Sequence, residues 1–212
     1  LNGFYPYLDP VKRFIDAAAS LRKEHELLSI DVTTCVQVAY PFVEVVGKVA
    51  GSLHPFRLVE IADAGPFDIL VGEVGGVPLS VRFQNEMDSS DPDNNAIALM
   101  RKDVCPDKGI LSLCDVYGDV LWTPRFHVGK AAADSSNLST VESASINVLH
   151  RRAEAYNSIL AEQWPKGIAN MLSERLGERN SLATTQFQIS ACLAWQEFTS
   201  ALGAPSELRQ RR

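Results

Sequence analysis

The sequence lacks the long apolar run that a membrane span requires, because no stretch approaches the roughly 18–20 consecutive apolar residues that cross a bilayer. It also lacks a methionine at position 1, where Leu1 stands, and nothing near it has the pattern of a signal peptide. We therefore expect a processed or trimmed chain that works inside the cell, in the cytoplasm, without contact with a membrane.

Cysteine and histidine are both scarce, with four of each among 212 residues. No two cysteines form a Cys-x-x-Cys pair, so a disulfide framework is not indicated and we expect buried, reduced thiols. No two histidines are three or four residues apart, which excludes the usual zinc spacing. The cysteines are Cys35, Cys105, Cys114 and Cys192.

Motifs for nucleotide cofactors are missing as well. The sequence contains no Gly-x-x-x-x-Gly-Lys phosphate loop and no Gly-x-Gly-x-x-Gly fingerprint. Gly72, Gly75 and Gly76, the densest glycine group, are accounted for by a predicted hairpin. We therefore expect no bound cofactor.

Basic residues are few in the first two thirds of the chain. Residues 1–137 hold 12 Lys and Arg against 19 Asp and Glu, whereas residues 138–212 hold 8 against 7. An acidic body disfavours broad contact with nucleic acid, which needs clustered basic side chains. The exception is the basic C-terminal tail, formed by Arg209, Arg211 and Arg212, although a solvated, frayed terminus also fits it.

The clearest structural signal lies between Phe56 and Phe83. Apolar residues alternate with other residues from Val77 onward, which is the period-two pattern of a half-buried strand. Gly75-Gly76 suits the positive φ angles of a two-residue hairpin turn. The hairpin places Val74, Gly72, Leu70 and Asp68 opposite Val77, Leu79, Val81 and Phe83, and an earlier strand from Phe56 to Ala62 joins it. The first hairpin strand is apolar on both faces, which predicts a covered, central position.

Other elements surround this hairpin. Asp9-Pro10 opens a helix that we extend to Leu28. Residues 32–50 fit either a strand over VTTCVQVAY or a short helix after Pro41. AIALMRK suggests a short helix, and Asp107-Lys108-Gly109 opens a second hairpin with strands at 110–116 and 120–128.

The C-terminal third has a helical pattern. Small polar residues at 131–139 predict a linker between an α+β domain, 1–130, and a helical segment, 140–212, packed on it or mediating assembly. An apolar stripe ends just before Pro165, which predicts a break or a kink, and two further helices follow, the second closed by Gly203. The predicted fold class is α+β, with an antiparallel sheet of about four to six strands packed against an N-terminal helix and the helical segment.

Four carboxylates in or beside the predicted strands are candidate catalytic residues. Together on one face they could hold Mg²⁺ for a nuclease-like reaction. Strand alternation separates them onto opposite faces, and no Glu-x-Lys follows, so edge-strand and turn charges are the favoured interpretation. They are Glu60, Asp63, Asp68 and Glu73.

Asp91, Asp93 and Asn95 resemble the opening of a calcium loop, with oxygen ligands at alternate positions. The pattern then fails, because Ala96 stands where glycine is needed and Lys102 where a bidentate glutamate belongs. Capping of a following helix is the favoured interpretation, and we expect no metal.

The helical segment offers more apolar surface than a small sheet covers. The first functional hypothesis is therefore a non-enzymatic interaction or assembly domain that forms a homo-oligomer or binds a protein partner. A divalent-metal-dependent, nuclease-like hydrolase and a small-ligand-binding sensor module are the alternatives. The predicted interface residues lie on the first stripe: Leu149, Tyr156, Leu160 and Trp164.

Overall fold

The structure, a computed structural model, describes residues 3–92, 95–125, 147–150, 156–176 and 182–208, with the backbone alone at 147–150, 156–159 and 182–183. Its helices are α1 (Asp9–Glu24), α2 (Ala39–Ala50), α3 (Tyr156–Leu176) and α4 (Leu182–Leu202). Short 3₁₀ turns lie at Tyr5–Tyr7 and Val36–Val38. None of the helices described is long and apolar enough to cross a membrane.

The strands of the main sheet are β1 (Leu27–Cys35), β2 (Phe56–Ala64), β3 (Phe67–Val74), β4 (Val77–Gln84), β6 (Met100–Pro106), β7 (Gly109–Leu113), β8 (Val120–Pro124) and β9 (Asn147–His150). Two short strands, β5 (Glu86–Met87) and β10 (Ser206–Glu207), pair separately. The main sheet runs β2-β3-β4-β1-β6-β7-β8-β9. All its pairings are antiparallel except β1 with β4. The α+β class and the mainly antiparallel sheet are confirmed, although the sheet exceeds the expected four to six strands.

The β3–β4 hairpin has the predicted register. Val74 lies opposite Val77, Leu70 opposite Val81 and Asp68 opposite Phe83. Leu70, Leu79 and Val81 are buried under the helices, since alternate residues of each strand share a face. The expectation that β3 is covered on both faces is wrong, because Val71 on the other face is exposed. Within the described residues, the helices pack on the face of the sheet that carries Leu70.

The helix layer is formed by α1, α2 and α4. Helix α1 packs against β6, β7, β8 and α2, and α2 packs against β1, β3 and α4. Phe42 of α2, Phe83 of β4 and Phe198 of α4 meet in the core, with ring centroids 5.0–5.1 Å apart. The ambiguous residues 32–50 contain both predicted elements, the strand to Cys35 and the helix from Ala39. Pro41 fits because it stands in the first helical turn, where a missing N–H breaks no helical bond.

Several boundaries differ from the prediction. Helix α1 ends at Glu24 because the chain joins the sheet at Leu27. AIALMRK is not a helix, since from Met100 it forms β6 beside β1. The strand predicted at 110–116 ends at Leu113 and the one predicted at 120–128 ends at Pro124, while residues 126–128 lie outside the described part of the chain. The predicted linker at 131–139 lies outside the described residues, so the domain division stays a prediction.

Of the break or kink predicted at Pro165, the break is wrong, because α3 continues through the proline to Leu176. A proline removes the N–H that would bond to the carbonyl four residues earlier. Here that carbonyl belongs to Ala161, and both residues are exposed, so water can satisfy it. The helix tolerates the proline for this reason.

The cysteines are all free, as expected, but only Cys35 is buried. Burial raises the pKa of the Cys35 thiol to about 12. Cys114 and Cys192 are exposed, so the expectation of uniformly buried thiols is wrong.

The hairpin turn supplies a first prediction. Gly76 has φ of 82° and open space on the side where a Cβ would stand, so its requirement for glycine is conformational rather than steric. We expect Gly76→Val to lower the free energy of unfolding by about 1 kcal/mol or more, since a β-branched residue resists positive φ. Gly76→Asn is the control, because asparagine tolerates this region. Equal urea midpoints for Gly76→Val and the wild type would contradict the account of the turn.

Candidate functional site

The four predicted carboxylates divide between the two faces of the sheet, as the alternation indicated. Asp63 and Asp68 are directly opposite each other on β2 and β3, on the face that carries Leu70. Glu60 and Glu73 lie on the other face, where Arg57 Nε is 3.4 Å from Glu73 Oε1. Only Asp63 and Asp68 are therefore placed to act together.

Asp63 and Asp68 line a cavity of about 200 Å³, which we name the edge cavity. One wall is the β2–β3 turn, where Gly65 adopts φ of 78° and donates its N–H to Asp63 Oδ1 at 3.0 Å. The opposite wall comes from the residues after β4 and from the end of α4. The complete lining is Asp63, Gly65, Pro66, Phe67, Asp68, Asn85, Glu86, Leu202, Ala204 and Ser206.

The carboxyl of Asp68 has a shifted protonation equilibrium. Burial raises its pKa, the neighbouring Asp63 raises it further, and a hydrogen bond from Asn85 partly opposes both. The side-chain amide of Asn85 also donates a hydrogen bond to the carbonyl of Leu202 at 3.4 Å, which positions Asn85. The edge cavity thus holds a carboxyl that keeps its proton more readily than an ordinary aspartate, beside a second carboxylate. Such a pair can donate a proton and stabilise a positive charge.

The edge cavity lies beyond the end of β4, the strand that pairs in parallel with β1. Cys35 and Gln84, the last residues of the two strands, are register partners, and Asn85 follows directly. Ligands of open α/β sheets bind beyond the carboxyl ends of such strands. Two residues before β6 are held beside the ends of β1 and β4: Thr34 donates to the Leu99 carbonyl at 2.7 Å, and the Gln84 side chain accepts from the Ile97 N–H at 2.8 Å.

The candidate calcium residues have other roles where they are described. Asn95 has φ of 68°, and its carbonyl accepts from the Gln84 amide at 3.1 Å. Asp91 donates its backbone N–H to the Asp88 carbonyl at 3.1 Å. Asp93 lies outside the described residues. Within the described part of the chain, no group of three or more His, Cys, Asp or Glu residues is placed to hold a metal ion.

Half of the predicted interface stripe contacts this chain itself. Leu160 packs against the core, and the Trp164 ring lies 5.3 Å from that of Phe4 while its N–H donates to the Tyr117 hydroxyl. The side chains of Leu149 and Tyr156 are not among those described. The expected homo-oligomer or protein partner, like the tail contact with nucleic acid, stays a prediction.

Sequence reasoning missed two buried charges. Glu44 of α2 is fully buried and accepts from Arg175 Nη2 at 3.3 Å and from Gln188 Nε2 at 3.1 Å, so it joins α2 to α3 and α4. Burial raises its pKa, although Lys48, Gln188 and Arg175 oppose the shift. The apolar neighbours of Glu44 in α2 were the available signal for its burial.

Lys102 of β6 is the second missed charge. It faces the helix layer and is fully buried, and its Nζ has no hydrogen-bond partner within the described structure. The Nζ lies 5.5 Å from the centre of the Phe42 ring. Burial lowers the pKa of the Lys102 ammonium well below its usual value, with only Asp115 opposing the shift. Alternation along β6, with Met100 and Val104 as neighbours on the face, was the signal that could have placed it inside.

Comparison with known families finds a match to part of the chain. Residues 25–123 match the model of the C-terminal domain of Irp3-like thiazolinyl imine reductases. The matched region begins just before β1, includes α2 and ends one residue before the end of β8. Comparison with curated proteins finds no match.

A solved structure has a similar fold. It is the crystal structure of a dehydrogenase, MviM, from Clostridium difficile, with a TM-score of 0.50 and 10% sequence identity. The similarity covers 94% of this chain and 61% of the dehydrogenase. The chain therefore spans less than two thirds of that protein, and at this identity the likeness shows the fold alone.

These comparisons correct the functional prediction. A non-enzymatic interaction or assembly domain is contradicted, and neither the nuclease-like hydrolase nor the sensor module is supported. The finding that overturns it is the similarity of residues 25–123 to the C-terminal domain of thiazolinyl imine reductases. Sequence reasoning missed this similarity because no short motif was recognised within residues 25–123.

Proposed function

We propose that this chain acts as the C-terminal domain of an oxidoreductase that reduces a cyclic carbon–nitrogen double bond. The observation that carries the proposal is the match of residues 25–123 to the C-terminal domain of thiazolinyl imine reductases. In such a reaction a hydride adds to the imine carbon and a proton to the nitrogen, which gives a saturated amine. The hydride donor is a reduced nicotinamide, which becomes oxidised.

The chain's contribution is the substrate side of the active site. A dinucleotide needs a glycine-rich strand-to-helix turn, and this sequence contains no Gly-x-Gly-x-x-Gly. The hydride donor is accordingly bound by another domain of the enzyme. Ligand sites form preferentially between domains, so the substrate lies where that domain meets this one.

Within this chain, the edge cavity is the candidate contact with the substrate. An imine becomes easier to reduce when its nitrogen takes up a proton, and the resulting cation is stabilised by a nearby carboxylate. Asp68 has the raised pKa of a proton donor, and the side chain of Asp63 lies directly opposite it in the sheet. The chemistry of the cavity supports the proposed reaction, with Asp68 as donor and Asp63 as electrostatic partner.

The proposal is tested in a fusion that places the dinucleotide-binding domain of a thiazolinyl imine reductase before residue 1. We expect oxidation of NADPH that depends on added thiazolinyl imine, and none with the dinucleotide-binding domain alone. A fusion that binds NADPH and is folded, yet oxidises it no faster with any cyclic imine, would contradict the proposal.

The same fusion tests the role of Asp68. We expect Asp68→Asn to lower kcat about 10²-fold, because a positioned proton donor contributes at least this much. The wild-type rate should fall as pH rises through the pKa of Asp68, which must be protonated to act, and Asp68→Asn should lose this fall. Asp63→Asn is the matched control and should reduce kcat less; it should keep the fall with rising pH but move it to lower pH, because Asp63 no longer raises the pKa of Asp68. Equal pH profiles for the wild type and Asp68→Asn would rule out Asp68 as the donor.

A further inference from the structure

Helix α3 has apolar residues on two different faces. One face, with Leu160, Gly167 and Met171, packs against the rest of the chain. Beside it runs a second stripe whose members follow one another every four residues and therefore line up along the helix. We name it the outer stripe: Trp164, 40% exposed, Ile168, 39%, Leu172, 45%, and Leu176, 78%.

The outer stripe is unusual for a surface helix. Such a helix normally presents polar residues wherever it does not contact the core. The exposed side opposite the stripe follows this rule, with Asn170 and Ser173. A contiguous exposed apolar patch marks a contact surface, whereas single exposed apolar residues do not. The outer stripe therefore needs an occupant.

The N-terminal residues of the chain show which occupant fits. Phe4 packs against Trp164, and Gly167 lies so close to this segment that an added Cβ would be 3.0 Å from Leu8 Cδ2. An added Cβ on Gly3 would lie 3.1 Å from the guanidinium of Arg175. A domain joined ahead of these residues would therefore emerge directly beside the outer stripe.

The comparisons are consistent with a further domain ahead of this one. The matching family model is a C-terminal domain, and the similar dehydrogenase is longer, with only 61% of its chain covered. The hydride donor also requires a dinucleotide-binding domain that this sequence does not encode. We propose that the outer stripe of α3 is the surface on which the dinucleotide-binding domain of the same enzyme packs. This inference rests on the proposed function.

Hydroxyl-radical footprinting with mass spectrometry tests the inference, because it reports the solvent exposure of individual side chains. Labelling of Trp164, Ile168 and Leu172 is compared between the 212-residue chain and the fusion with the dinucleotide-binding domain. We expect labelling of the stripe to fall several-fold in the fusion. Val59, which is 67% exposed on the edge strand β2, serves as the internal reference and should not change.

A matched pair of variants tests whether contact with the stripe causes the protection. Ile168→Asp with Leu172→Asp places two charges on the stripe and should restore labelling of Trp164 in the fusion. Asn170→Asp with Ser173→Asp adds the same charge on the opposite face of α3 and should leave Trp164 protected. Both double variants should keep the melting temperature of the isolated chain.

Three outcomes would overturn the inference. The stripe could remain equally labelled in a fusion that binds NADPH. The outer stripe could already be protected from labelling in the isolated chain at every protein concentration, which would mean that other residues of the same chain cover it. It could be protected only at high concentration, which would mean that a second copy of the chain covers it. Because the readout is exposure, a fusion without imine reduction but with a protected stripe would contradict the proposed reaction and support the docking surface.

Discussion

Lys102→Met should make the protein more stable, by about 1–3 kcal/mol at neutral pH, the usual cost of a buried polar group without a partner. The Lys102 amine is fully buried and has no hydrogen-bond partner within the described residues, while Leu113, Val32 and Phe42 surround the position with apolar atoms. Methionine has a similar length and adapts to irregular space. Urea unfolding of the two proteins measures the difference.

The stability gain expected for Lys102→Met depends on pH. Burial depresses the pKa of Lys102 in the folded protein, so between that value and the ordinary lysine pKa of about 10.4 the unfolded chain binds more protons. Lowering the pH through this window therefore favours unfolding of the wild type. We expect the advantage of Lys102→Met to be larger at neutral pH than near the ordinary lysine pKa. Lys12→Met, at an exposed lysine paired with Asp16, is the control and should change stability by less than about 0.5 kcal/mol. A Lys102→Met protein less stable than the wild type would show that the amine has a stabilising partner.

Glu44→Ala should destabilise the protein by about 2–3 kcal/mol, somewhat less than for a fully buried ion pair because Arg175 is partly exposed. The substitution removes the acceptor that holds Arg175 of α3 and Gln188 of α4 against α2. Glu44→Gln keeps a carbonyl for these donors, and because burial already favours the neutral form we expect it to cost less than about 1 kcal/mol.

The pH dependence of stability should also differ between the wild type and Glu44→Gln. The folded protein binds a proton at Glu44 more readily than the unfolded chain does, since burial raises the pKa. As the pH falls through that pKa, the wild type should gain stability relative to Glu44→Gln, which binds no proton there. Equal losses for Glu44→Gln and Glu44→Ala would mean that the negative charge itself holds the three helices together.

The elements with strong local signals could be predicted from the sequence. The β3–β4 hairpin follows from period-two alternation around Gly75-Gly76, and the end of α4 follows from Gly203, whose φ is 76°. The α+β class follows from the order of such elements. In each case residues close in sequence determine the local backbone.

Features that depend on distant contacts could not be predicted. The parallel pairing of β1 with β4 joins residues from two separate units of the chain, and no local pattern indicates it. Strand β6 was missed because AIALMRK also suits a helix, and the neighbouring β1 decides the outcome. The candidate site could be predicted only in part. Asp63 and Asp68 were identified as charged residues near a turn, but the fact that they line one cavity with Asn85 and the end of α4 follows only from the tertiary structure.

Transfer of deuterium from NADPH labelled on the nicotinamide ring tests most directly whether this chain completes an imine reductase. The fusion with a dinucleotide-binding domain is supplied with the labelled cofactor and a thiazolinyl imine, and the product is measured by mass spectrometry. The account predicts a saturated product that carries one deuterium on the former imine carbon, because the hydride passes directly from cofactor to substrate. A folded fusion that binds NADPH and yields no deuterated product would contradict it.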